Sequence, residues 1–287
     1  MSGAPGRLRT VPPRALWGSA GVLGLLLCLV LAAVPGSTAA FTAQLVNTND
    51  TLATNPYFTC QAAVRADGAY FAHPLDDPTP SNGSSARDAT LNNRPGTYRS
   101  TATHFILGVC PRDTGSGSTT FDGSSNYVSM PDAWSNPQTF STEVWFRTTA
   151  AQGVLVGFSN SLLGLISLNY DRHVYLASSG QLVFGVGSGN TTITSPASYN
   201  DGTWHQAVAT LGSTGMRLYV DGALVVSNPA VTTAQSYTGY WRFGMGPLGG
   251  WSPGSNGSCF RGQLAWGAAY PVTLSASDVA AHHAAGR

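Results

Sequence analysis

From Thr119 onward, short apolar runs recur at intervals of roughly eight to twelve residues, punctuated by Gly, Asn, Asp and Ser. Residues 139–148 alternate: Phe140, Thr142, Val144 and Phe146 form one face, Glu143, Trp145 and Arg147 the other. That period of two predicts a strand. Residues 153–158, 163–170, 173–176, 182–186 and 204–211 read as further short strands. Residues 216–220 and 223–227 flank Asp221-Gly222, a dipeptide that favours a two-residue hairpin turn. Residues 240–243 and 260–270 complete the set. One helix is expected, over 277–284, because Ser275 with Asp278 three residues on fits a capping box. Many strands and one terminal helix predict an all-β fold, a sandwich of two antiparallel sheets with a short C-terminal helix.

The front of the chain differs. Arg7, Arg9 and Arg14 precede an apolar run from Leu16 to Val34, then Pro35-Gly36 and the small residues Ser37 to Ala40. Residues 1–40 therefore read as a signal peptide cut after Ala39 or Ala40, with an uncleaved membrane anchor as the rival reading. Cys28 falls inside the apolar run after Leu27, where a lipidation site needs a small residue. Residues 41–66 form an N-terminal extension with one short strand, in which Phe41, Ala43 and Leu45 alternate with Thr42, Gln44 and Val46. Residues 72–100 lack periodicity and read as an irregular surface lead-in. The main domain is placed at 67–287.

Export changes the meaning of the cysteines. Cys60, Cys110 and Cys259 remain after the signal, and an oxidising compartment favours a disulfide. Cys60–Cys110 is the expected pair, tying the extension to the body, with Cys259 left free and buried. Charged residues make up only 9% of the chain and the net charge is +1. There is no lysine, and no basic run follows the first fourteen residues. Nucleic acid is excluded as a partner, because binding phosphates needs a cationic face.

The order of motifs resembles LamG-like (laminin G-like, concanavalin A-like) jelly-roll domains of the secreted actinobacterial type. The carriers are Phe121-Asp122-Gly123-Ser124-Ser125-Asn126-Tyr127-Val128, Phe140 to Arg147, Asn200-Asp201-Gly202-Thr203-Trp204-His205, Met216 to Gly222, Phe260-Arg261-Gly262, and Leu274-Ser275 to His282-His283. Together they span about residues 67–287. Related chains often carry Asp-Glu after the closing Gly; here Gly262 is followed by Gln263-Leu264. The resemblance implies calcium on rim loops, for which Asp122 and Asn126 are the nearest ligands. A turn Asp before Gly is the alternative.

The fold class hosts glycosidases as well as binding modules. Glycoside hydrolysis normally needs two carboxylates flanking the bond, and Glu143 is the only glutamate. Glucanases of this fold resemble one another in a Glu-x-Asp-x-x-Glu strand that this chain cannot contain. Gly250-Trp251-Ser252-Pro253-Gly254 matches a nucleophile elbow, but Pro253 has no N–H for an oxyanion. His282-His283 point apart on a helix and read as a solvated helix end. His205 has no partner evident in sequence. Trp251, between glycines and a Ser-Pro-Gly, is the ring expected to stand exposed, with Tyr240 as a second candidate for ligand stacking. The expectation is a secreted or cell-surface recognition module without catalysis. Its partner would be a glycan or cell-envelope polymer, or alternatively an extracellular protein; membrane contact would come only through an uncleaved signal segment.

Overall fold

The computed structural model describes residues 57–187 and 191–287, with the strand backbone of 46–47 and 50–51. The expected signal peptide and the alternation over 41–45 lie outside the described residues. Two compact units divide the chain, Met1–Ala53 and Thr54–Arg287. In the first, β1 (Val46–Asn47) pairs antiparallel with β2 (Asp50–Thr51).

The second unit is a sandwich of two antiparallel sheets. Its strands are β3 (Phe71–His73), β4 (Ser85–Ala86), β5 (Gly96–Arg99), β6 (Thr103–Phe105), β7 (Ser118–Asp122), β8 (Tyr127–Ser129), β9 (Trp134–Ser135), β10 (Phe140–Arg147) and β11 (Val154–Ser159). They continue with β12 (Tyr170–Leu176), β13 (Gln181–Val186), β14 (Thr191–Ser198), β15 (Trp204–Leu211), β16 (Met216–Val220), β17 (Ala223–Asn228), β18 (Thr238–Phe243) and β19 (Arg261–Tyr270). One sheet runs β17-β16-β15-β10-β19-β7-β6, with β3 also on β19. The other runs β14-β13-β12-β11-β18-β8-β5-β4, with β9 also on β18. Among the described residues no helix is long and apolar enough to cross a membrane.

The alternation in β10 explains its position at the centre of the first sheet. Phe140, Val144 and Phe146 enter the core between the sheets, meeting Phe184, Leu218 and Trp241. Trp145 faces the other way, yet it is fully buried. The C-terminal helix Ala276–Ala285 covers it, together with a helix absent from the sequence expectation, Cys60–Ala66. Ser275 caps the first of these in the expected box with Asp278. Thr59 caps the second by accepting from Ala62 N at 3.0 Å. Cys60 is bonded to Cys110 and Cys259 is free and buried, as expected.

At the Asp221-Gly222 hairpin both residues have positive φ, 51° and 82°, the type I′ geometry that fits the twist of the flanking strands. Two readings change. The segment 72–100 is not loose: β3, β4 and β5 within it pair into both sheets. The apolar run 163–170 is loop up to its last residue, with Ile166 91% and Leu168 90% exposed.

Candidate functional site

At one end of the sandwich, β9 lies against β18, placing Trp134 opposite Gly239. Tyr70 is fixed just before β3 by its N–H, which donates to Ala269 O at 2.8 Å. The two rings meet edge to face at 4.8 Å, and Trp134 meets the core ring of Trp241 at 5.9 Å. A cleft of about 360 Å³ opens here, lined by Tyr70, Ala133, Trp134, Ser135, Pro137, Thr139 and Pro271. That volume lies within the usual range for small-molecule sites. The Tyr70, Ser135 and Thr139 hydroxyls make no hydrogen bond to other described residues. The buried Trp134 Nε1–H also lacks an acceptor among them.

Behind this wall, the Arg94 guanidinium stacks on Tyr70, 4.0 Å from the ring centroid, and pairs with Asp132. Asp132 raises the Arg94 pKa further, so the guanidinium stays charged. Asp88 shapes the Arg94 loop by accepting from Ala72 N, Thr90 N and Oγ1, and Arg94 N. Burial works to raise the Asp88 carboxyl, but these hydrogen bonds hold it below its usual value.

Trp251 requires a correction. Its ring is only 5% exposed. The indole lies 5.1 Å from the His173 ring and 6.2 Å from Tyr175, over a socket that exists because Gly185 has no Cβ. Hydroxyls of Tyr170, Tyr175 and Thr192 donate to carbonyls of Gly249, Pro253 and Ser252 and hold the loop down. Tyr240 is half-buried on β18 opposite Ser159, outside the cluster around Trp251.

Asp122 and Asn126 do come together, but their oxygens are committed. Asp122 Oδ1 accepts from the N–H groups of Ser124, Ser125 and Asn126, and Oδ2 from the hydroxyls of Ser124 and Ser125. Burial opposes ionisation, yet these bonds hold the carboxyl well below the usual range. Asn126 Oδ1 accepts from Asp122 N at 2.7 Å. Calcium needs about six to eight oxygens free to turn toward it, so this pair does not fit the ion. A cleft of about 660 Å³ beside the turn, between Asp122, Thr149 and Arg261, has a single aromatic in its lining, Phe121.

Two histidines have partners the sequence did not suggest. His205 Nδ1 faces Asp221 at 2.7 Å and its Nε2 faces Thr203 Oγ1 at 3.1 Å and Asp201 at 3.2 Å. That network clasps the hairpin to the Asn200–Thr203 turn. His282 is buried rather than solvated, between Glu143 and Asp67 at 2.8 Å each. Glu143 is thereby walled in beneath the C-terminal helix, 3% exposed. The carboxylate of Asp171 is likewise enclosed with the vicinal Arg172 guanidinium.

The family described as the concanavalin A-like lectin/glucanases superfamily matches residues 122–280. No curated protein matches. Several solved structures are similar to this chain. Domain 4 of the arabinanase AbnA from Geobacillus stearothermophilus, in complex with arabinotriose, is 15% identical, with 74% of this chain and 97% of that domain covered and a TM-score of 0.48. Trypanosoma rangeli sialidase is 14% identical, with 92% and 39% covered and a TM-score of 0.51, so the chain spans little more than a third of that enzyme. The CBM40 of Ruminococcus gnavus IT-sialidase, bound to sialyllactose, is 16% identical, with 50% and 80% covered and a TM-score of 0.39.

Proposed function

This chain belongs to the concanavalin A-like lectin/glucanases superfamily, and from that premise we propose that it is an exported, non-catalytic module that recognises glycans. The observation carrying the reading is the cleft between Tyr70 and Trp134. Sugar rings present an apolar C–H face and a rim of hydroxyls. Aromatic and proline walls remove that face from water, and uncommitted hydroxyls can serve the rim. The disulfide Cys60–Cys110 suits an oxidising compartment. The enclosure of Glu143 supports the absence of catalysis, since a general acid must reach the glycosidic oxygen.

The test is a glycan array probed with the full chain, followed by calorimetry of the hits. Trp134→Ala, with its fold checked by circular dichroism, should lower affinity by about tenfold or more. Unchanged affinity would refute this location. Reducing ends should not accumulate when β-glucans, galactans or sialosides are incubated with the chain; turnover abolished by an Asp substitution would overturn the non-enzyme reading.

One observation favours a second reading, contact with another protein. The loop between β11 and β12 exposes Leu163, Leu165, Ile166 and Leu168, and residues 159–170 carry no charge. Arg242 anchors the base of this loop through the carbonyls of Ser161 and Gly164. Exposed apolar clusters of this kind mark contact surfaces. Ile166→Asp should then abolish a protein contact while leaving glycan affinity intact.

A further inference from the structure

We infer that the Tyr70–Trp134 cleft selects neutral glycans and discriminates against those bearing carboxylates. The inference rests on the recognition reading above and specifies its ligand class. No side chain lining the cleft carries a charge. Arg94, which packs on the Tyr70 ring, is paired with Asp132. A sialic or uronic carboxylate entering the cleft would lose water and find no unpaired cation among the lining residues to replace it. Desolvating a charge without a partner is among the costliest events in recognition. It would also approach Asp132, whose charge matches its own.

What the cleft does offer is neutral. The hydroxyls of Tyr70, Ser135 and Thr139 both donate and accept, which suits a sugar hydroxyl that does the same. The Trp134 indole N–H is buried without an acceptor among the described residues, so Trp134 serves a ligand in the cleft through its ring face and not through its N–H. Tyr70 and Trp134 contribute ring surface, which acts by dispersion and by removal of apolar area from water. Neither effect depends on ionic strength.

The experiment is calorimetry of the full chain with cellotriose, maltotriose, mannotriose and arabinotriose, against sialyllactose and trigalacturonate. Each titration is run at about 20 and about 500 mM NaCl, a range that contracts electrostatic screening from tens of ångströms to a few. A neutral trisaccharide should bind about tenfold more tightly than either acidic one, with the same affinity at both salt concentrations. Trp134→Ala should lower that affinity by about tenfold or more, whereas Trp134→Phe, which keeps an aromatic face, should retain most of it. Asp132→Asn frees Arg94 and should raise affinity for the acidic sugars while leaving the neutral ones unchanged. Preference for an acidic sugar, weakening with salt, would overturn the neutral class and leave glycan recognition standing. Failure of every glycan to bind would overturn the recognition reading itself, and this inference with it.

Discussion

Replacing Glu143 by Gln tests whether the covering helix is held by a buried ion pair. Glu143 Oε1 accepts from Gln206 Nε2 at 2.7 Å, and Oε2 accepts from Tyr270 OH and His282 Nδ1, both at 2.8 Å. Every hydrogen-bonded position around the carboxylate is therefore a donor. A glutamine must turn its NH₂ toward at least one of them, and it also removes a counter-charge from His282. Breaking a buried pair from one side costs about 3–5 kcal/mol, a large part of the roughly 5–15 kcal/mol that holds a domain folded. With urea m-values of about 1–3 kcal/mol/M, the midpoint should fall by 1 M or more.

The pH dependence gives the sharper readout. Burial alone would lower the His282 pKa, but Glu143 and Asp67 raise it from 6.5 to about 9. The imidazolium thus contributes its full stability below pH 6.5 and loses it as pH rises through about 9. That displacement corresponds to roughly 3 kcal/mol. Glu143 has the opposite sign: burial raises its pKa, but His282, Tyr270 and Gln206 together bring it below 4.5. Its contribution is present above pH 4.5 and disappears as pH falls through the lowered value. The gap between the native chain and Glu143→Gln should be widest between pH 4.5 and 6.5 and should narrow toward about pH 10. His73 and His173, both lowered by burial, are common to the two proteins and cancel in the difference. Urea unfolding followed by tryptophan fluorescence at several pH values measures the gap. A difference under about 1 kcal/mol at pH 6, or one that does not change with pH, would refute the ion-pair account.

Three further outcomes follow from the packing. A Cβ on Gly185 would lie 2.0 Å from Trp251 Cζ3, so Gly185→Ala should cost about 1–3 kcal/mol or more and expose an indole to acrylamide quenching; unchanged quenching would mean that the socket is not as described. Cys60 and Cys110 are 50 residues apart, so reduction or the double Ser substitution should cost about 4 kcal/mol by loop entropy, visible as a lower melting temperature that added reductant does not change in the double variant. A chelator should leave the melting temperature unchanged, because Asp122 and Asn126 spend their oxygens within the turn; a fall of more than a few degrees would reinstate calcium.

Where a signal was local, the sequence was a good guide. The alternation in β10, the Asp221-Gly222 turn and the Ser275–Asp278 cap each depend on neighbours a few residues away, and each forms as expected. Misreadings arose where distant residues decide the outcome. Residues 163–170 have the apolarity of a strand, but Arg242, about 80 positions away, captures the carbonyls of Ser161 and Gly164 and holds the segment as a loop. His282 looked like a solvated helix end because Glu143 lies 139 residues away in sequence. Trp251 looked exposed because its own loop offers nothing to bury it. Its socket is a glycine in β13, and a glycine inside a strand is a sequence signal of close approach.

The candidate site was hidden for a related reason. Tyr70, Trp134 and Pro271 come from three separated stretches, and only the pairing of β3 with β19 and of β9 with β18 carries them to one end of the sandwich. Trp134 nonetheless met the criterion applied to Trp251: an aromatic in a short segment, Asp132 to Pro137, rich in turn residues. Both rings sit in loop-like sequence, and what separates them is the surface opposite. Trp251 faces a glycine and sinks. Trp134 faces another large ring, Tyr70, which is itself propped by Arg94, and two bulky groups meeting edge to face cannot close the space between the sheets. A cleft remains beside the two rings, walled by Tyr70, Trp134, Pro137 and Pro271 with the small side chains of Ala133, Ser135 and Thr139 between them. That origin argues for a site that is present before any ligand arrives, with the ordering cost already met by the fold.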